Sequence, residues 1–157
     1  MTGMKQYIVA LAALVLIGCG PKEEQFVDAK AAAALQARGE LLLDIRESDG
    51  YKEFRIPNST HIPFGRLKYR LDELAAYKDK AIVVIDYSGL RSPRAWELLK
   101  KSGFTQVSIV KGGAKEWIKA GLPVETMEMQ IEKERLEQAQ QLEIEQLERE
   151  LELLKQQ

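Results

Sequence analysis

The sequence predicts an α/β fold: a parallel β-sheet flanked by helices, with a long helix at the C-terminal end. Three observations predict it. Short unbroken apolar runs, Leu41-Leu42-Leu43 and Ala81-Ile82-Val83-Val84-Ile85, read as strands buried on both faces, since a half-solvated strand would alternate. Helix-like segments with start and stop residues lie between the strands, as parallel crossovers require. From Glu125 onward there is no glycine or proline and charge dominates, which favours one long helix.

Along the chain, Asp28 is placed to cap an alanine-rich helix running through Gln36 and stopping near Gly39. Leu41 to Leu43 forms a strand ending at Asp44. Ser48 to Phe54 is a short helix or turn, and Thr60 to Ile62 a further strand. Leu67, Leu71, Leu74 and Ala75 recur at helical spacing and predict a helix over 67–76. Ala81 to Ile85 is the central strand, followed by a loop and a helix through Ser102, which Gly103 ends. Val107 to Val110 is the next strand and Gly113 to Ala120 the next helix. Trp96 and Trp117 sit at core-like helical positions and read as packing residues.

The most informative segment is the loop Asp86-Tyr87-Ser88-Gly89-Leu90-Arg91-Ser92. A strand turning tightly into a helix N-terminus points several backbone N–H groups at one spot, and that spot favours an anion. Gly89 permits the turn and Arg91 supplies a fixed cation. The arrangement suits a thiolate or a bound oxyanion, yet its first position holds a carboxylate. Asp44 also ends a strand, and ligands of parallel sheets sit beyond the carboxyl ends of strands. Asp44 and Arg46 are therefore possible crevice residues, with the alternative that Asp44 braces a backbone N–H or Arg46.

The loop resembles the active-site loop of rhodanese-like domains, patterned Cys-x-x-Gly-x-Arg-Ser. Asp86 falls on the cysteine, Gly89 on the glycine, and Arg91 and Ser92 on the arginine and serine. Leu43 to Glu47, followed by Tyr51 to Pro57, resembles the family's Asp-x-Arg element and its Gly-His-Ile-Pro-Gly-Ala sequel. Phe54-Arg55 stands for Gly-His here and Asn58-Ser59 for Gly-Ala. Gly112-Gly113-Ala114-Lys115-Glu116-Trp117 resembles the final Gly-Gly-x-x-x-Trp helix, and Ala120 to Pro123 its exit. The resemblance covers about residues 26–124 and implies a rhodanese-like parallel sheet flanked by helices. It also implies that the family's persulfide chemistry has lost its sulfur carrier, because a carboxylate cannot hold a transferable sulfur.

Net charge is −1, so bulk attraction to nucleic acid is not expected. One cysteine and one histidine exclude an internal disulfide and a Cys/His zinc site, and neither a metal nor a cofactor is expected. His61, beside Ile62-Pro63, reads as structural. Residues 1–18 read as a lipoprotein signal peptide: Lys5 precedes an apolar run from Tyr7 to Ile17, too short for the ~20 residues of a spanning helix. Either Met1 or Met4 serves as the start. Leu16-Ile17-Gly18-Cys19 resembles a bacterial lipobox, with Cys19 as the lipidated residue carrying the acyl chains. An ordinary signal peptide or an uncleaved anchor is the alternative. The expected location is the bacterial cell envelope, lipid-anchored and facing the periplasm or exterior. With Cys19 lipidated, the mature chain has no free thiol.

The chain thus divides into a signal peptide at 1–18, a polar tether at 19–25, a rhodanese-like domain at 26–124 and an acidic helix at 125–157. Residues 125–157 hold ten acidic and four basic residues, a net charge of about −6. Ile131, Leu142 and Leu153 form one apolar stripe, and Leu136, Ile144, Leu147, Leu151 and Leu154 a second. Only Ile144-Leu147-Leu151-Leu154 keeps heptad spacing, so any coiled coil is short. The helix is expected to lie on its own domain, to self-associate or bind a protein partner, or to stand solvated. Two functions are open. One is a catalytically degenerate, membrane-tethered binding or scaffold module. The other is an enzyme using Asp86 as nucleophile or metal ligand in phosphoryl chemistry, or a residual role in sulfur transfer. Tyr87 and Leu90, bulky groups on the loop rim, favour the binding module.

Overall fold

A computed structural model of the chain describes residues 20–155, so the expectations for the signal peptide and for Cys19 lie outside the described residues. In chain order the elements are β1 (Phe26–Val27), α1 (Ala29–Ala37), β2 (Leu41–Asp44), α2 (Ser48–Glu53), β3 (Phe54–Arg55), β4 (Thr60–His61) and α3 (Phe64–Leu67). A 3₁₀ segment (Leu71–Tyr77) follows, then β5 (Ala81–Ile85), α4 (Ser92–Lys101), β6 (Gln106–Val110), α5 (Gly113–Lys119), β7 (Glu125–Thr126) and α6 (Met127–Lys155).

Five strands form one sheet in the order β1-β6-β5-β2-β4, every pair parallel. The two apolar runs of the sequence are its centre. Alternation decides which face each side chain enters. Leu41, Leu43, Ile82 and Val84 pack with Leu67, Leu74, Ala95, Leu99 and Phe104, under α3, the 3₁₀ segment and α4. Leu42, Val83 and Ile85 pack with Ala29, Ala32, Ala114 and Trp117, under α1 and α5. Burying one such aliphatic side chain is worth about 1.5–3 kcal/mol, so these two layers hold the sheet flat against its helices. The two tryptophans pack as expected: Trp117 donates its indole N–H to the Pro123 carbonyl at 3.0 Å and Trp96 to that of Val107 at 2.9 Å.

Register positions the site. Asp44 lies opposite Ile85, so β2 and β5 end side by side and release Ile45 and Asp86 at one rim. Asp28 caps α1 through the Ala31 N–H at 2.7 Å.

Several boundaries differ from the sequence reading. The helix expected over 67–76 is two pieces, broken at Lys68 to Arg70. Leu67 and Leu74 are both buried, and two short turns satisfy the same apolar spacing that suggested one helix. The polar tether at 19–25 is partly built: Glu23–Gln25 makes a 3₁₀ turn, and Glu23 reaches the Lys111 ammonium at 2.8 Å. The domain also runs past 124. β7 pairs antiparallel with β3, Phe54 opposite Thr126 and Arg55 opposite Glu125. Neither β3 nor β7, at two residues each, carries enough pattern for periodicity to mark it.

α6 leaves the domain almost at once. Gln130 is buried and donates to the Glu125 carbonyl at 2.9 Å, but every described residue from Ile131 onward is exposed. The expectation that this helix lies along its own domain is therefore corrected. No helix among the described residues is long and apolar enough to cross a membrane.

Candidate functional site

Asp86 is the first residue after β5 and is 4 % exposed. Its carboxylate is held from three sides. The Ser92 hydroxyl donates to Oδ1 at 2.5 Å, while the Ser88 and Arg91 backbone N–H groups approach Oδ2 at 3.4 and 3.3 Å. The bond to Ser92 is short and charge-assisted; the two amide contacts are long and contribute less. Ser92 opens α4, so the carboxylate also sits where the helix dipole favours negative charge. The ring of donors that the loop offers to an anion is occupied from within.

The Arg91 side chain does not join that ring. Its guanidinium turns outward to Glu47, Nη1 to Oε1 at 3.2 Å, with both side chains more than half exposed. The fixed cation expected beside the anion is thus a backbone donor only. Glu47, a surface glutamate within reach, draws that charge away, a role its place in the sequence did not announce.

The loop is braced from behind by α5. The Ala114 N–H donates to the Asp86 carbonyl at 2.8 Å and the Lys115 N–H to that of Tyr87 at 3.0 Å. This needs very close approach, and glycine provides it. Gly89, Gly112 and Gly113 all have positive φ (82°, 72° and 64°). A Cβ on Gly89 would lie 3.1 Å from the Gly112 nitrogen, and one on Gly113 would overlap the Asp86 carbonyl oxygen. Gly112-Gly113 is therefore the clamp that fixes the loop. Paired glycines at a helix start were the available signal for that role.

Asp44 and Arg46 separate. Asp44 is fully buried and receives Arg46 Nε at 2.9 Å and Nη2 at 2.7 Å on Oδ2, and the Arg46 backbone N–H on Oδ1 at 2.9 Å. Arg46 also donates to the Gly50 and Phe54 carbonyls at 3.0 and 2.9 Å, and its guanidinium stacks 4.1 Å above the Phe54 ring. Both alternatives for Asp44 as a brace are realised together, and Asp44 does not line the crevice. His61 is likewise structural, contacting the Arg46 carbonyl at 2.8 Å through Nε2 and stacking on Tyr51 at 3.8 Å.

The crevice itself is a cleft of about 480 Å³ lined by Arg46, Glu47, Glu53, Asp86, Arg91 and the rim residues Tyr87 and Leu90, among others. Tyr87 and Leu90 are 53 % and 81 % exposed. Of the two arginines lining it, Arg46 is neutralised by Asp44 and Arg91 is paired with Glu47. Glu53 adds a further carboxylate that the sequence reading passed over. The cleft offers an incoming anion no uncommitted cation. Asp44, the carboxylate the sequence offered to join Asp86 in metal or phosphoryl chemistry, is committed to Arg46.

Comparison with known proteins agrees with the fold. The family model described as a rhodanese-like domain matches residues 28–120, more than half of the chain. Among curated proteins, YrkF of Bacillus subtilis is 38 % identical over 76 residues, covering 48 % of this chain and 40 % of YrkF, so the chain spans well under two thirds of that relative. The thiosulfate sulfurtransferase GlpE of Pseudomonas savastanoi is 35 % identical over 98 residues, covering 62 % of this chain and 89 % of GlpE. Among solved structures, a rhodanese-related protein from Thermoplasma volcanium superposes with a TM-score of 0.58 at 31 % identity, covering 64 % of this chain and 96 % of that one.

Proposed function

Because the chain belongs to the rhodanese-like family yet carries Asp86 at the head of its loop, we propose that it is a catalytically silent member acting as a membrane-tethered binding or scaffold module. The observation that carries this reading is the buried Asp86 carboxylate inside the loop's own ring of donors. Relatives named as sulfurtransferases make sulfur transfer the activity to weigh against it. That chemistry passes through a thiolate, which position 86 does not supply. A resident carboxylate instead supplies the negative charge the loop was built to hold, so the loop stays folded without substrate. The exposed Tyr87 and Leu90 support a rim that meets a partner rather than a small anion.

Titration with thiosulfate tests the occupied-cradle reading. The native protein should show no binding heat, while Asp86→Ala, which vacates the ring of N–H groups and Ser92, should gain measurable millimolar binding. Thiosulfate binding by the native chain would contradict the reading.

The tether rests on Cys19 and the apolar run before it. Several acyl chains anchor stably where one gives only marginal attachment. In detergent phase partitioning the native protein should follow the lipid phase, and Cys19→Ser should release it or leave its precursor uncut. Native protein recovered wholly in the aqueous phase would remove the membrane from the proposal and leave the binding module.

A further inference from the structure

Helix α6 projects an apolar stripe that nothing in its own domain covers. Ile144, Leu147, Leu151 and Leu154 are 49 %, 58 %, 53 % and 66 % exposed. At ~100° per residue they share one side of the helix with Leu136. A solitary amphipathic helix draws most of its stability from packing, so this stripe calls for an occupant.

The flanks say what kind. With Ile144 and Leu151 at a positions and Leu147 and Leu154 at d, Glu143 and Glu150 fall at g, and Glu148 and Lys155 at e. On other faces, Glu132, Glu145 and Glu152 are paired within the helix to Arg135, Arg149 and Lys155 at 3.8, 3.6 and 3.6 Å. Glu143, Glu148 and Glu150 form no ion pair among the described residues. The carboxylates bordering the stripe thus stand without cations, as Glu128, Glu134 and Glu137 earlier in the helix also do.

A second copy of the chain fits poorly. In a parallel pair Glu143 would oppose the other copy's Glu148, cancelling the attraction between Glu150 and Lys155. Glu137, at the preceding a position, would face its own counterpart. Two heptads are also short of a stable self-pair. A helix bordered by lysine or arginine turns all three flanking glutamates into favourable contacts and keeps the leucine packing. Charges at e and g set partner choice in this way.

We infer that residues 136–154 form a docking surface for an amphipathic helix whose apolar stripe is flanked by basic residues. This rests on the reading of the chain as a binding module and adds the chemistry of the partner.

The test uses the full chain in mild detergent and two synthetic helical peptides. Both carry the same leucine heptads, one with lysine and one with glutamate at e and g. The lysine peptide should bind at least about tenfold more tightly, with the advantage shrinking as salt rises. The combined variant Glu143→Gln, Glu148→Gln, Glu150→Gln should lose most of that preference while remaining helical by circular dichroism. Leu147→Glu with Leu151→Glu should abolish binding of the lysine peptide. Equal affinity for both peptides, binding of neither, or a micromolar dimer of the native chain at pH 7 that the leucine variant dissolves would each overturn the inference. Sulfur-transfer assays do not involve α6. Turnover there would overturn the binding-module reading alone, and indifference to peptide charge would overturn the docking surface alone.

Discussion

Asp86→Cys, made in a Cys19→Ser background so that it carries the only thiol, is expected to create an unusually acidic cysteine. The pH profile of its alkylation should show a midpoint at or below about 7.5, against about 8.5 for an unperturbed thiol. The loop already holds a negative charge at this position, through the Ser92 hydroxyl, the Ser88 and Arg91 N–H groups and the start of α4. A thiolate placed there inherits the same donors. The shift should come from the backbone and Ser92 rather than from the Arg91 guanidinium, which is turned to Glu47. Removing that guanidinium with Arg91→Ala should therefore move the midpoint little, and Ser92→Ala should raise it. A midpoint of 8.5 or higher in Asp86→Cys would mean that the loop is not an anion cradle.

The second large effect is on stability. Asp44→Ala strips the carboxylate from a buried guanidinium, and breaking a buried pair from one side costs about 3–5 kcal/mol. In a domain of this size that lowers Tm by more than about 10 °C. Arg46→Ala should cost a similar amount, since it also deserts the Gly50 and Phe54 carbonyls and the Phe54 ring. The double replacement should cost less than the sum of the two, because neither charge is then left alone. Urea unfolding of the three variants measures this directly. A loss below about 1 kcal/mol for Asp44→Ala would show that the pair is not a brace and would return Asp44 to the list of possible site residues.

How much of this was legible in the sequence depended on the kind of signal. The sheet centre was legible because unbroken β-branched and leucine runs leave a parallel strand few alternatives. The loop was legible because its glycine and its strand-to-helix setting dictate where N–H groups point. Side-chain destinations were not. Arg91 looked like the cradle's cation because nothing local announces that Glu47, far away in sequence, will draw it off. Asp44 and Arg46 lie two residues apart, and spacing alone could not tell a crevice pair from a brace; burial decides it. Of the four two-residue strands only β4 was expected; β1, β3 and β7 were missed, since two residues carry too little period to fix a strand. The paired Gly112-Gly113 stood out in the sequence, but the loop they clamp is identified by α5 lying against it.

The central claim is that a resident carboxylate has silenced the site, and transfer of sulfur from thiosulfate to cyanide by the Cys19→Ser chain tests it most directly. That chain contains no thiol to carry the sulfur. The account expects thiocyanate to form at the rate of the protein-free control. Turnover clearly above that control, rising in proportion to protein and lost with Asp86→Ala, would contradict it.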